Sequence, residues 1–411
     1  MIKELYQTKI NEIALNVTQT RIDSIRKKNI IKSGCRVYQK SADTPGTGYI
    51  GVAGTFGEAT EDTWERAIKN LELKIPYDYE ASTGAQRKRD LRKLDLSTEQ
   101  FLEKSEKLLE IFRKEFPDFI FSNKIRLIET EVSLKNDAGL DYVNYDKTIS
   151  LELLFKHVNS VNIFDSGVMQ QNRDIFDIDK IVEEAKEQLK AFNNEIELPD
   201  LKKVIVAVDN SGLSKICESL NGETLGRGTS IFNSKLGKKT FNDKFTLYGD
   251  LSDDDYHIPF FDAEGSTLEN DICPLIENGV ILKGYTDKKN SRQFGFENTA
   301  SAGAGYDDVP SLQMMNVNVK KSDKTFVELA GDEPVIFSIM ASGGDCTSNG
   351  DFATPVQMAY LIQNGKYIGR LPEFYMSGNI YDMFGDDYIG VSKDKFAFNQ
   401  NLMACRMNIS K

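Results

Sequence analysis

Apolar and polar residues alternate at Ile13, Leu15 and Val17, at Ile125 and Leu127, at Val132 and Leu134, and at Ile149, Leu151, Leu153 and Phe155. A period of two puts one set of side chains on one face of a pleated strand, so these segments predict half-buried antiparallel strands. Between them the spacing changes to i, i+3, i+4, i+7. Trp64, Ala67, Ile68 and Leu71 make one helical stripe, and Phe101, Leu108, Leu109 and Phe112 make another. Ser97 with Gln100 three residues on is a capping-box start for the second helix, and Pro117 is its stop. A third helix carries Ile178, Ile181, Val182, Ala185, Leu189 and Phe192 behind an Asp177 cap. Trp64, the sole tryptophan, is expected to anchor a core.

The helical pattern runs out at Asn193-Asn194-Glu195, and Leu198-Pro199-Asp200-Leu201 follows, where proline cannot continue a helix. The predicted division is therefore into residues 1–197 and 198–411. Lys202-Lys203-Val204-Ile205-Val206-Ala207-Val208 opens the second part as a buried strand. Short apolar runs and turns fill the rest, and Asn278-Gly279 and Asn364-Gly365 are two-residue hairpin signals, because a type I′ turn needs positive φ at both positions. The expected fold class is α+β, with an N-terminal antiparallel sheet mixed with helices and a C-terminal, mostly antiparallel sheet or barrel.

At 411 residues the chain is long enough for two or three cores. Its 51 Lys plus Arg stand against 63 Asp plus Glu, which gives a polyanion no support at the level of the whole chain and makes nucleic acid an unexpected partner. The longest apolar runs are of strand length, and no basic flank with an apolar core opens the chain. Neither a membrane span nor an export signal is expected, and the expected location is the cytoplasm. Cys35, Cys217, Cys273, Cys346 and Cys405 are odd in number and widely spaced, against a disulfide framework or a structural zinc knot. Two histidines, His157 and His257, are too few for a His-rich metal site. The basic run from Arg87 to Lys93 reads as a solvated face, and Asp253-Asp254-Asp255, which lacks EF-hand spacing, as a surface loop.

Candidate chemistry gathers near the C-terminus, in Gly343-Gly344-Asp345-Cys346-Thr347-Ser348-Asn349-Gly350-Asp351-Phe352 and in Met376-Ser377-Gly378-Asn379-Ile380-Tyr381-Asp382-Met383. Read by residue type alone, the first is a tight polar loop between strands, compatible equally with turn chemistry and with a site. With Tyr360-Leu361-Ile362-Gln363-Asn364-Gly365-Lys366 between them, these segments resemble the C-terminal half of the TldD/PmbA family, two-domain metalloprotease subunits of which one half carries the metal. Gly34-Cys35-Arg36-Val37-Tyr38 and Thr98-Glu99-Gln100 are more loosely similar to its N-terminal pattern.

The segment from Arg227 to Lys238 resembles the one that follows an H-E-x-x-x-H helix in metal-binding members. Counting back without gaps, the motif falls on Leu213, Ser214, Lys215, Ile216, Cys217 and Glu218, with no histidine. Leu213, Ile216, Cys217 and Leu220 instead make the apolar face of a buried helix. The C-terminal segment that supplies a cysteine ligand in those members is not matched by residues 398–407, where Cys405 alternates with Met403 and Met407 as a strand core residue would.

The resemblance thus implies a PmbA/TldE-like member without metal or cofactor. Such a non-catalytic subunit would pair with a zinc-bearing TldD-like subunit, or with itself, around a channel for unfolded or small peptides. Capture by strand addition is the natural mode, since main-chain bonds give affinity without demanding a sequence. The residues expected to line the channel are Asp345, Cys346, Asn349, Gly350, Asp351, Phe352, Ser377, Gly378 and Asn379. Asp262, Glu264 and Gly265 join them from a stretch similar to the family's D-x-E-G turn, where the two carboxylates either serve acid/base work or cap a turn. Two other readings stay open: a metal-independent thiol hydrolase using Cys346 with His257 or Asp351 as base, and a self-paired peptide-binding protein.

Overall fold

The computed structural model describes residues 1–41, 47–208 and 210–411, and of residues 210 and 211 the backbone only. Its first half is an eight-stranded sheet of Ile2–Thr18 (β1), Arg21–Lys40 (β2), Gly48–Phe56 (β3), Ile75–Pro76 (β4), Gln86–Asp90 (β5), Phe119–Asn136 (β6), Asp141–His157 (β7) and Ser166–Asn172 (β8). The order is β4-β3-β2-β1-β6-β7, and β5 and β8 both pair with β7. Every pairing is antiparallel except β5 with β7. Two patterns the sequence presents as separate strands, Ile125 with Leu127 and Val132 with Leu134, lie on the single long strand β6. The β1–β2 turn contains no glycine, yet Gln19 and Thr20 both have positive φ. Thr20 is held there by its neighbour β6: its N–H donates to the Phe121 carbonyl at 2.8 Å, and its hydroxyl accepts from Phe121 N at 2.9 Å.

Three helices flank this sheet: Glu61–Lys69 (α1), Thr98–Glu115 (α2) and Ile178–Phe192 (α3). Ser97 and Gln100 form the expected capping box, and the Asp177 side chain accepts from Lys180 N. Phe101, Leu108, Leu109 and Phe112 of α2 and Ile181, Ala185, Leu189 and Phe192 of α3 bury against Phe121, Ile125, Leu151 and Phe155. Truncating one of these rings to alanine costs about 3–5 kcal/mol. Trp64 is only half-buried, packing at the rim of a small cluster with Cys35 and Val37 beneath the Lys3 ammonium.

The second half begins with Lys203–Val208 (β9) and carries a four-stranded sheet of Leu247–Asp250 (β10), Ile272–Glu277 (β11), Val280–Ile281 (β12) and Val317–Val319 (β15). Ala302–Gly303 (β13) pairs with Ser311–Leu312 (β14). A further sheet adds Val335–Ala341 (β16), Asp345–Cys346 (β17), Asp351–Gln363 (β18), Lys366–Arg370 (β19), Phe374–Asn379 (β20), Tyr388–Ala397 (β21) and Gln400–Ser410 (β22) to β9. Its order β16-β9-β22-β20-β18 closes into a barrel because β18 also pairs with β16. The two expected hairpin turns are present, Asn278-Gly279 and Asn364-Gly365 having positive φ at both positions. Met358 and Tyr360 of β18 reach into the core beneath α2 and α3, so the two halves share apolar packing.

Arg87, Lys88, Arg92, Asp253 and Asp254 are exposed, as the sequence suggests, yet both charge runs are also held by specific bonds. Arg87 on β5 grips Asp271 (Nη1 to Oδ1, 2.6 Å), and Arg89 donates to the Leu251 and Ile258 carbonyls at 2.6 Å each. Arg173 pairs with the fully buried Asp146 through two 2.8 Å bonds and also donates to the Asp253 and Asp255 carbonyls. The acidic stretch is thereby fastened to the first sheet. Breaking such a buried pair from one side costs about 3–5 kcal/mol, because the partner charge stays buried and unpaired.

Candidate functional site

The two C-terminal motifs meet in one corner of the barrel sheet. Register pairs Asp351 with Asn379, Phe352 with Gly378 and Ala353 with Ser377. β17 folds back on β18 through a turn at residues 347–350, where Thr347 N donates to the Asp351 carbonyl at 2.8 Å and Gly350 N to the Thr347 carbonyl at 3.1 Å. Gly350 is buried with φ 92°, and a Cβ there would lie 2.8 Å from Ile380 Cγ1, so glycine is required by both torsion and space. The polar side chains largely satisfy one another: Asn349 Nδ2 donates to Asp351 Oδ2 at 2.7 Å and Asn379 Nδ2 to Asp351 Oδ1 at 2.8 Å. Ile380 N closes the corner on the Gly350 carbonyl at 2.9 Å. The polar letters of the loop therefore build the turn, and what the turn presents is the wall beside it.

That wall bounds a cavity of about 520 Å³ between the barrel and the first sheet. Asp345, Cys346, Phe352 and residues 342–344 line it on one side, with Ser214 and Lys215 beside them. Its depth is apolar, formed by Phe337, Ile380, Leu402 and the nearly buried Met376, Met383 and Met407, while Met169 reaches in from β8. Asp351, Ser377, Gly378 and Asn379 border an adjoining recess, which shares Phe352. Asn349 and Gly350 line neither space and act through the turn. Sequence reading missed the methionine wall. Met376 and Met383 stand inside the second motif, but only the folded barrel brings them to Met169, which lies more than 200 residues away.

Cys346 is only partly buried, and its thiol donates weakly to the Thr347 carbonyl at 3.7 Å. Burial pushes its pKa up, against the lowering a nucleophilic thiol needs. The pairing with His257 that the thiol-hydrolase alternative offers is not formed. Nδ1 of His257 faces the Thr130 hydroxyl at 3.0 Å and Nε2 the Thr148 hydroxyl at 2.8 Å, both on the first sheet, and burial holds its pKa down. Asp351, the other base considered for Cys346, is occupied by Asn349 and Asn379.

Asp262, Glu264 and Gly265 lie apart from the cavity, where the second half meets the first sheet. Asp262 accepts from the backbone N–H groups of Glu264, Ser266 and Ala302 at 2.8–3.0 Å. Glu264 accepts from the Tyr77 hydroxyl and from Lys288 N, both at 2.9 Å. Burial raises Asp262 to about 6, and burial together with the Asp262 charge raises Glu264 to about 7. Close by, Arg36 donates to the Ala263 carbonyl and pairs with Glu4 beneath the Tyr6 ring. The D-x-E-G stretch is thus a capped turn that ties the two halves together.

The helix that counts back to the metal-binding motif is Ser214–Ser219 (α4). Leu213, Ile216 and Cys217 are buried in the core of the second half, and Glu218 points outward in an ion pair with Lys215 at 3.0 Å. An apolar side chain, a serine hydroxyl and an outward carboxylate do not fit a zinc ion, which takes imidazole, thiolate or carboxylate ligands converging on one point. Among the described residues no three His, Cys, Asp or Glu side chains converge in that way anywhere else. No helix among them is long and apolar enough to cross a membrane.

Residues 205–411 match the family model of the PmbA/TldA metallopeptidase C-terminal domain. An uncharacterized protein of Methanocaldococcus jannaschii is 24% identical over 394 residues, covering 93% of this chain and 89% of that protein. A metalloprotease TldD homolog of Buchnera aphidicola is 30% identical over 183 residues, 42% of this chain and 37% of that protein. A zinc metalloprotease TldD homolog of Saccharolobus solfataricus is 29% identical over 150 residues, 35% and 33% of the two chains. The similarity to these two metalloproteases thus spans about a third of their length. TldE from Thermococcus kodakarensis shares the fold, with a TM-score of 0.80 at 18% identity over 100% of this chain and 96% of that one. With the family match extending over the whole barrel and its corner motifs, the chain belongs to the PmbA/TldD family.

Proposed function

We propose that this chain is the non-catalytic, metal-lacking, TldE-like subunit of a metalloprotease that acts on unfolded or small peptides, and that it pairs with a zinc-bearing TldD-like subunit. The observation that carries this reading is α4. Where the motif would place histidine, glutamate and histidine, the chain has buried Leu213, Ser214 and outward-facing Glu218. With His157 and His257 the only histidines in the chain, a shift of register cannot repair the site. Hydrolytic chemistry then belongs to the partner, and this chain contributes walls: the corner at residues 343–352 and 377–379 and the cavity beside it. We assign residues 1–197 and 198–411 as its two domains, with the D-x-E-G turn as one of the ties between them.

Elemental analysis of the purified chain tests the reading. Zinc well below one equivalent after dialysis is expected. One tightly held equivalent, lost on replacing residues 213–218, would overturn it.

A further inference from the structure

We propose that the cavity beside β17 is a side-chain pocket that selects peptides carrying a large apolar residue, of the leucine, methionine or phenylalanine class. This rests on the peptide-binding reading above and adds to it what the peptide must contain.

The first argument is the strand edge. β17 ends its path in the barrel sheet, and no strand lies beyond it among the described residues. Thr347 is hydrogen-bonded opposite Asp351, so the alternation of an antiparallel ladder makes Asp345 with Ala353 the next such pair. The N–H and C=O of Cys346 are thereby turned away from β18, on the side where no strand pairs with β17 among the described residues. An extended peptide laid along this edge gains main-chain bonds, and every second side chain points to the same face.

The second argument is what lies under that edge. The cavity's volume of about 520 Å³ exceeds what one side chain needs, and its lining is more apolar than polar. Met376, Met383 and Met407 form its depth. Methionine is unbranched and polarizable, so such a wall adapts to apolar groups of different shapes while offering nothing to a charge. The third argument is the opposite bank. β8 is also an edge strand, pairing only with β7, and its Met169 is 41% exposed while lining the same cavity. On this bank the Gly167 and Gln171 carbonyls are already taken by the Gln188, Tyr256 and Asn399 side chains, so it offers Met169 to the apolar space, and the open edge is that of β17. An extended chain with an apolar side chain meets all of these features, and a free small molecule without a backbone would leave the β17 edge unused.

Fluorescence anisotropy on the full chain tests this, using labelled Gly/Ser peptides that are identical except for one central Phe, Leu, Ser or Asp. Burying a large apolar side chain contributes about 1.5–3 kcal/mol, so the Phe and Leu peptides should bind roughly tenfold or more tighter than the Ser peptide, and the Asp peptide weaker still. Ala341→Trp, which fills an exposed part of the lining, should abolish the preference. Met169→Asp, at an exposed position on the other bank, should do the same should Ala341→Trp fail to fold. Equal affinity for the Phe and Ser peptides overturns the pocket, as does an unchanged preference in either folded variant. Light scattering of the same samples with a zinc-bearing TldD-like subunit reports the subunit reading separately. Pairing without the preference overturns the pocket alone, and the preference without pairing overturns the subunit reading alone.

Discussion

Glu264 is 2% exposed where the second half meets the first sheet. Asp262-Ala263-Glu264-Gly265 offers two carboxylates two residues apart, a pattern that serves acid/base work as readily as turn capping. The structure surrounds Glu264 with the Tyr77 hydroxyl, the Lys288 backbone and the Asp262 and Asp287 carboxylates, out of reach of solvent. Burial first, and then Asp262, raise its pKa from 4.5 to about 7, so the native state holds a proton that the unfolded chain releases. The neutral form's contribution to stability is fully present below the unfolded value and is lost as pH rises through the folded one. Melting temperature should therefore fall between about pH 4.5 and 7, and Glu264→Gln should flatten that decline. An unchanged slope in the variant would show that Glu264 is not the group responsible. None of this was legible in the sequence, because Tyr77 and Lys288 are remote from Glu264 along the chain.

At the scale of elements, spacing and caps were legible where they are local. The Ser97–Gln100 capping box, the Asp177 cap and the Asn-Gly hairpins all appear where the chain itself carries the signal. The glycine-free turn at Gln19 and Thr20 was not legible, because β6 holds it. The same contrast runs through the corner. Its polar residues announced a turn, which they form, but the apolar wall comes from methionines on three strands and a short helix. Gly350→Val meets both positive φ and Ile380, so a loss of at least about 1–3 kcal/mol is expected. Asn349 is exposed, and Asn349→Trp should cost less than about 1 kcal/mol while diminishing stimulation of a TldD-like partner's peptidase. Denaturant melts run beside the peptidase assay check both. Full stimulation by folded Asn349→Trp would confine the corner to turn chemistry.

For the molecule as a whole, the α+β class and a C-terminal, mostly antiparallel sheet or barrel were readable from alternation and turn signals, and the resemblance to the family from the corner motifs. The fastening of the halves was not. Arg87 and Arg89 read as part of a solvated face until Asp271 and the Leu251 and Ile258 carbonyls are seen beside them, and nothing in the sequence signalled the bonds of Arg173 to Asp146 and to the Asp253 and Asp255 carbonyls. A body tied in this way, with an apolar cavity at its seam and no place for zinc on α4, suits a subunit that shapes a chamber whose chemistry lies elsewhere. Mixing the purified chain with a zinc-bearing TldD-like subunit at micromolar concentration, and following scattering mass and peptide cleavage together, tests this claim most directly. A complex at the summed mass of one of each is expected, with cleavage above that of the partner alone and none by this chain alone. Cleavage by this chain alone, or a partner whose mass and activity are indifferent to it, would overturn the subunit reading.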